Sequence, residues 1–144
     1  MNTLQLSDLT LKDLLPHRGN MLLIDEVLEV ESTYAVTRSV VRASWPLADE
    51  KGVHSLILVE LAAQAAGVCN GWDRIITKGL DSDQMGYLVG IKRARFHIER
   101  IFFDSAVIAR AKNTYNFGNL REIFCALHLD DRVIAEVTLQ LFQA

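Results

Sequence analysis

The sequence predicts an α+β domain in which six antiparallel strands curl around one long central helix, with a short helix ahead of them. Three observations predict it: a proline-free run of helix-forming residues from Ser55 to Ile76, a change to alternating apolar and polar residues after it, and a composition able to fill one core. With 144 residues, 50% of them hydrophobic and 23% charged, the chain reads as a single domain over 1–144 with no linker and no disordered tract.

Taken in order, Thr10-Leu-Lys-Asp13 has capping-box spacing, with Asp where Glu is commoner, and Pro16 stops the short helix it starts. Met21 to Val30 and Tyr34 to Arg42 are rich in β-branched and apolar residues and flank the polar Glu31-Ser-Thr33, which predicts a hairpin. Ser44 to Lys51 loses periodicity and carries Pro46, Asp49 and Glu50, with Gly52 just after, so it reads as an irregular loop. Ser55 is placed to cap the long helix, which at 22 residues would extend about 33 Å and run through the domain rather than along one edge. A bilayer span is excluded: the apolar part, Leu56 to Cys69, is shorter than the roughly 20 residues required and contains Glu60 and Gln64.

Residues 86–99, 104–117, 120–129 and 132–142 read as four further strands, with turn signals at Gly118-Asn119 and Asp130-Asp131. In the last, Val133, Ala135, Val137, Leu139 and Leu141 alternate with Glu136, Thr138 and Gln140, the pattern of a sheet with one buried face. A helix apolar all round must be covered all round, and the sheet covers only part of it, so a second copy is expected to close the rest as a homodimer.

A formal charge of −3 and a pI near 5.8 give no positive field for nucleic acid or an anionic membrane. The 2 cysteines, Cys69 and Cys125, form no Cys-x-x-Cys, and with 4 histidines a closed zinc site has too few local ligands; buried reduced thiols are expected, and no metal or cofactor. Met1 to Asp8 has no basic start and no cleavable apolar stretch, so a cytoplasmic protein is expected.

The chemistry concentrates on the long helix. Between Leu56 and Cys69 the polar side chains are Glu60 and Gln64, one turn apart on one face. An ionised carboxylate in apolar surroundings costs several kcal/mol without a partner. One reading makes Glu60 a proton donor or acceptor with a raised pKa, oriented by Gln64; the other makes it a structural carboxyl bonded to Gln64, a backbone amide or an arginine across the dimer seam. His54, just ahead of the helix, reads either as a base beside that acid or as a surface histidine next to a turn, while the amides of the first helical turn can polarise a carbonyl. Lys92, Arg93, Arg95, His97 and Arg100 crowd one strand; by alternation Arg93, Arg95 and His97 share a face that suits a phosphate-bearing carrier or is simply solvated. His17-Arg18, after Pro16, either contacts a phosphate or pins the N-terminal segment, and His128 reads as a packed or edge residue.

Three segments carry a resemblance: Leu15-Pro-His-Arg-Gly-Asn-Met-Leu-Leu-Ile-Asp-Glu-Val27, Leu58-Val-Glu-Leu-Ala-Ala-Gln-Ala-Ala-Gly67 and Tyr87-Leu-Val-Gly-Ile-Lys-Arg-Ala-Arg-Phe96. In this order they resemble the opening, central-helix and third-strand motifs of the hot-dog-fold 3-hydroxyacyl-acyl-carrier-protein dehydratases. The resemblance implies that Glu60 matches the helix acid that protonates the leaving 3-hydroxyl, with Gln64 beside it. It also implies a loop histidine that removes the α-proton, but the ungapped position is Pro46, and Ser44 to Val53 contains no histidine. His54-Ser55 stands where the family has Pro-Gly, and Phe102-Phe-Asp104 where it has Pro-Gly-Asp. These departures resemble a dehydratase-like subgroup of aryl-polyene-type biosynthesis.

Three functions are therefore open. The first is binding, with syn elimination of water, of an acyl thioester carried by an acyl carrier protein or coenzyme A, with Glu60 as acid and His54 or another subunit's residue as base. The second is a non-catalytic partner subunit in a heterodimer with another hot-dog dehydratase. The third is an acyl thioesterase.

Overall fold

The computed structural model describes residues 4–83 and 86–143; the part of the N-terminal reading that rests on residues 1–3 lies outside them. The capping box forms: the Asp13 carboxylate accepts from the Thr10 backbone N–H at 2.8 Å and opens α1 (Leu11–Leu14). A 3₁₀ turn, Gly19–Met21, leads to the hairpin of β1 (Glu26–Val30) and β2 (Tyr34–Val40). After a loop come β3 (Val53–His54), the long helix α2 (Ile57–Lys78), β4 (Gly86–Phe96), β5 (Arg100–Ile101), β6 (Ala106–Phe117), β7 (Leu120–Leu129) and β8 (Arg132–Gln143).

Six strands make one antiparallel sheet in the order β1-β2-β6-β7-β8-β4. Its inner face, with Ala35, Val107, Ala109, Ile123, Cys125, Leu127, Ala135, Val137 and Leu139, closes on Leu58, Leu61, Ala62, Ala65 and Val68 of α2; all are 0% exposed. Cys69 and Cys125 are free and buried, and burial pushes both thiols up to about 12, so neither is a thiolate at neutral pH.

The expected six strands are joined by a seventh and an eighth, because the stretch read as strand 86–99 ends at Phe96 and the chain turns to form β5, which pairs with β3. Gly52 makes that pairing possible. Its φ of 146° belongs to glycine, and a Cβ there would lie 2.3 Å from the Ile101 carbonyl oxygen. The helix starts two residues later than expected and is not capped by the Ser55 side chain: the Ser55 carbonyl accepts from Leu58 N at 2.9 Å, and its N–H is tied to Glu99.

The apolar helix is not covered all round. Leu56 is 53% exposed, and Val59, Glu60, Ala63 and Gly67 follow it on a half-open stripe at helical spacing. Beside it β4 is an edge strand with Leu88, Val89 and Ile91 exposed. Among the described residues no helix is long and apolar enough to cross a membrane.

Candidate functional site

The site begins with a short sequence that turns the chain over the start of α2. Pro16 ends α1, and the Arg18 guanidinium folds back to donate to the carbonyls of Leu15 at 2.6 Å, His17 at 2.8 Å and Lys12 at 3.2 Å. The chain is thereby held so that the His17 imidazole meets the helix. On α2, Gln64 is 0% exposed and fully committed: Oε1 accepts from Leu23 N–H at 2.9 Å, and Nε2 donates to the Met21 carbonyl at 2.7 Å and to Glu60 Oε1 at 3.0 Å. These partners fix which end of the amide is nitrogen.

Glu60 therefore receives Gln64 from one side and His17 Nε2, at 3.2 Å, from the other. With a carboxylate already accepting from Gln64, the network assigns the proton to Nε2 of His17 as the second donor, while Nδ1 is buried with no partner among the described residues. The hydrogen bond from His17, reinforced by Gln64, holds the half-buried Glu60 carboxyl below the ordinary carboxylate range despite the opposing effect of burial. The position of Glu60 in the first turn of α2 favours the same charge. This runs against the expectation of a raised pKa.

A depressed carboxyl pKa stabilises the fold above its unfolded value, and that contribution disappears as pH falls through the folded value. Acid denaturation followed by circular dichroism should accordingly show wild type losing stability relative to Glu60→Gln as pH drops below the ordinary carboxylate range, with no divergence near neutrality.

Glu60 and His17 line a groove of about 200 Å³ between Leu14–His17, α2 and the β4 and β8 ends, which supply Leu88, Leu141 and Phe142. The groove is mainly apolar, and its placement lets a carboxylate act on an apolar chain.

His54 stands elsewhere. It is exposed, and its Nδ1 accepts from Leu56 N–H at 3.1 Å, so it caps the turn into α2. His54→Ala should leave any Glu60-dependent activity within about twofold and cost about 1 kcal/mol or less in a chemical melt.

The basic side chains of β4 lie on the outer face of the sheet and none of them lines the groove, although Leu88 of the same strand does. Arg93 and Arg95 pair in register with Thr138 and Glu136, between inward-facing Val137 and its neighbours. Lys92, at a bulge, is paired with Glu122 at 3.0 Å and His97 with Glu136 at 3.1 Å, whereas Arg93 and Arg95 are exposed. His128 also lies on β7 facing outward, opposite Ile108.

The residue that spacing alone undervalued is His17. Its signal was the Pro-His-Arg-Gly turn, but nothing local says that this turn lands on Glu60. Among the described residues no cluster of His, Cys, Asp or Glu is arranged to hold a metal ion.

Solved structures of similar architecture set the fold. The dehydratase heterocomplex ApeI:P from Xenorhabdus doucetiae superposes with a TM-score of 0.83 at 21% identity, covering 94% of this chain and 91% of that one. A hypothetical thioesterase with coenzyme A from Streptococcus pneumoniae TIGR4 gives 0.62 at 15% identity, covering 81% and 83%. The E. coli PaaI protein of the phenylacetic acid degradation operon gives 0.63 at 14% identity, covering 82% of each chain. At these identities the likeness concerns the hot-dog fold. No curated protein matches the sequence at a significant level. The model of the ApeP-like family, described as ApeP dehydratase, matches residues 9–144, and this chain belongs to that family.

Proposed function

We propose that the chain is an acyl-thioester-binding dehydratase subunit that supplies Glu60 to an active site completed by a second hot-dog protein. The observation that carries this is the ionised Glu60, oriented by Gln64 and His17 at the wall of an apolar groove, in a chain whose 44–53 loop holds no histidine.

Elimination of water from a 3-hydroxyacyl thioester moves a proton off C2 and a hydroxyl off C3, leaving a C2=C3 double bond. With Glu60 unprotonated at rest, the reaction starts with proton removal from C2, and the proton gained returns to the departing C3 hydroxyl as water forms. Gln64 acts as a positioning residue, since its amide is taken up by Met21, Leu23 and Glu60. The groove is open along the half-open stripe of α2 and the β4 edge, and closing it over the substrate calls for surface from outside the chain. A partner hot-dog chain fits that opening, and the assembly of the Xenorhabdus relative as a heterocomplex supports it over a homodimer. The exposed Arg93 and Arg95 suit an anionic carrier, an acyl carrier protein or coenzyme A, approaching the outer face.

Mass spectrometry of a carrier-bound 3-hydroxyacyl thioester tests this. Loss of water is expected when the chain is mixed with a partner hot-dog dehydratase, and not with the chain alone; full turnover by the chain alone contradicts the shared site. The ionised carboxylate also suits direction of a water at a thioester carbonyl. That thioesterase reading requires thiol release from acyl-CoA, abolished in Glu60→Ala.

A further inference from the structure

The groove that starts at Glu60 does not stay apolar. It runs along α2 past Ala63 and Gly67 and reaches Asn70 and Arg74, which line it while being 8% and 3% exposed. Asn70 lies ten residues beyond Glu60 on α2, about 15 Å along the axis.

Asn70 is oriented by its neighbours. Arg121 of β7 donates to its Oδ1 at 2.9 Å and to Asp73 at 2.6 Å. A guanidinium can only donate, so the amide oxygen must face Arg121, and the Nδ2 amino group is left without a partner among the described residues. The amino group is not sealed from solvent, so water meets it in the empty groove and a ligand oxygen can take that water's place.

Arg74 is differently placed. Its guanidinium donates to the carbonyls of Asp13 and Ser82 and to the Ser82 hydroxyl, and the Asp13 and Asp83 carboxylates stabilise its charge. Three carboxylates, Asp13, Asp73 and Asp83, thus attend the two guanidinium groups, and the end of the groove offers a hydrogen-bond donor without excess positive charge.

We propose that this is a distal subsite for an acyl chain whose far end carries a neutral hydrogen-bond-accepting oxygen, received by Asn70 Nδ2. The inference rests on the acyl-groove reading of Glu60 and narrows it to a substrate class. A plain hydrocarbon end leaves the Asn70 donor unpaired, and a carboxylate end gains nothing from guanidinium groups already neutralised.

Isothermal titration of the full chain, in the oligomer in which it purifies, tests it with three acyl-CoA probes of equal length ending in a methyl, a methyl ketone or a carboxylate. The ketone-ended probe is expected to bind roughly three- to tenfold tighter than the methyl-ended one, with no such gain for the carboxylate. Asn70→Asp keeps the size and the Arg121 bond but removes the donor, and should erase the gain; Asn70→Leu should erase it as well while retaining the methyl-ended probe. Equal binding of the ketone and methyl probes, or a gain that survives Asn70→Asp, overturns the subsite and leaves the groove standing. If no probe binds the wild type, the acyl-groove reading falls and takes the subsite with it.

Discussion

Replacing Glu60 by glutamine should lower dehydration by the paired proteins roughly a hundred- to ten-thousand-fold, the range expected for loss of a proton-transferring side chain. The substitution is informative because it is close to silent for the fold. A glutamine oxygen at this position can still accept from Gln64 Nε2 and from His17 Nε2, so the Met21–Leu23 segment keeps its anchor on Gln64. What the proposed mechanism loses is the group that takes a proton from C2 and returns it. Stopped-time mass spectrometry of the thioester, with size-exclusion chromatography to show that Glu60→Gln still folds and assembles, separates loss of chemistry from loss of structure. Turnover within a few-fold of wild type would remove Glu60 from the mechanism.

The second large effect is on stability. A Cβ added at Gly71 would stand 2.2 Å from the Leu14 carbonyl oxygen and 3.1 Å from Leu14 Cα, so Gly71→Ala must push α1 off the long helix. The movement would also break the bond from Arg74 to the Asp13 carbonyl, 2.7 Å in length, and displace the Leu14–His17 wall of the groove. Overpacking against backbone of this kind costs about 2–3 kcal/mol, which for a domain of this size lowers the melting temperature by roughly 5–10 °C. Gly67→Ala is the control. There the clash is with Leu15 Cδ2 at 2.7 Å, the far end of a side chain that can rotate, so a smaller loss is expected in the same thermal melt.

The elements that sequence periodicity revealed are those whose own side chains alternate against one core. The run from Ser55 to Ile76 and the alternation of Val133 to Leu141 needed no long-range information to read. β3 and β5 were invisible because two residues are too few to show a period; their pairing depends on Gly52 admitting the Ile101 backbone. The bulges in β4 shift its register against β8 at Gly90 and again at Arg93, which alternation alone does not foresee.

At the site, helical spacing was enough to place Gln64 against Glu60, as one turn of α2 requires. It was silent on His17, which reaches Glu60 only because Arg18 ties down the turn after Pro16 and Gln64 clasps Met21 and Leu23. The expectation of a raised carboxyl pKa failed for that reason: it counted the apolar neighbours along the helix and not the donors brought from another segment.

Everything proposed for the groove depends on Glu60 standing ionised between His17 and Gln64. Carbon-13 NMR titration of the glutamate side-chain carboxyls, with Glu60→Gln to assign the resonance, measures this directly. Glu60 is expected to titrate below the ordinary carboxylate range, and to move upward in His17→Ala as its leading hydrogen bond is lost. A Glu60 that titrates at or above the ordinary value in wild type, or that is unmoved by His17→Ala, would contradict the account.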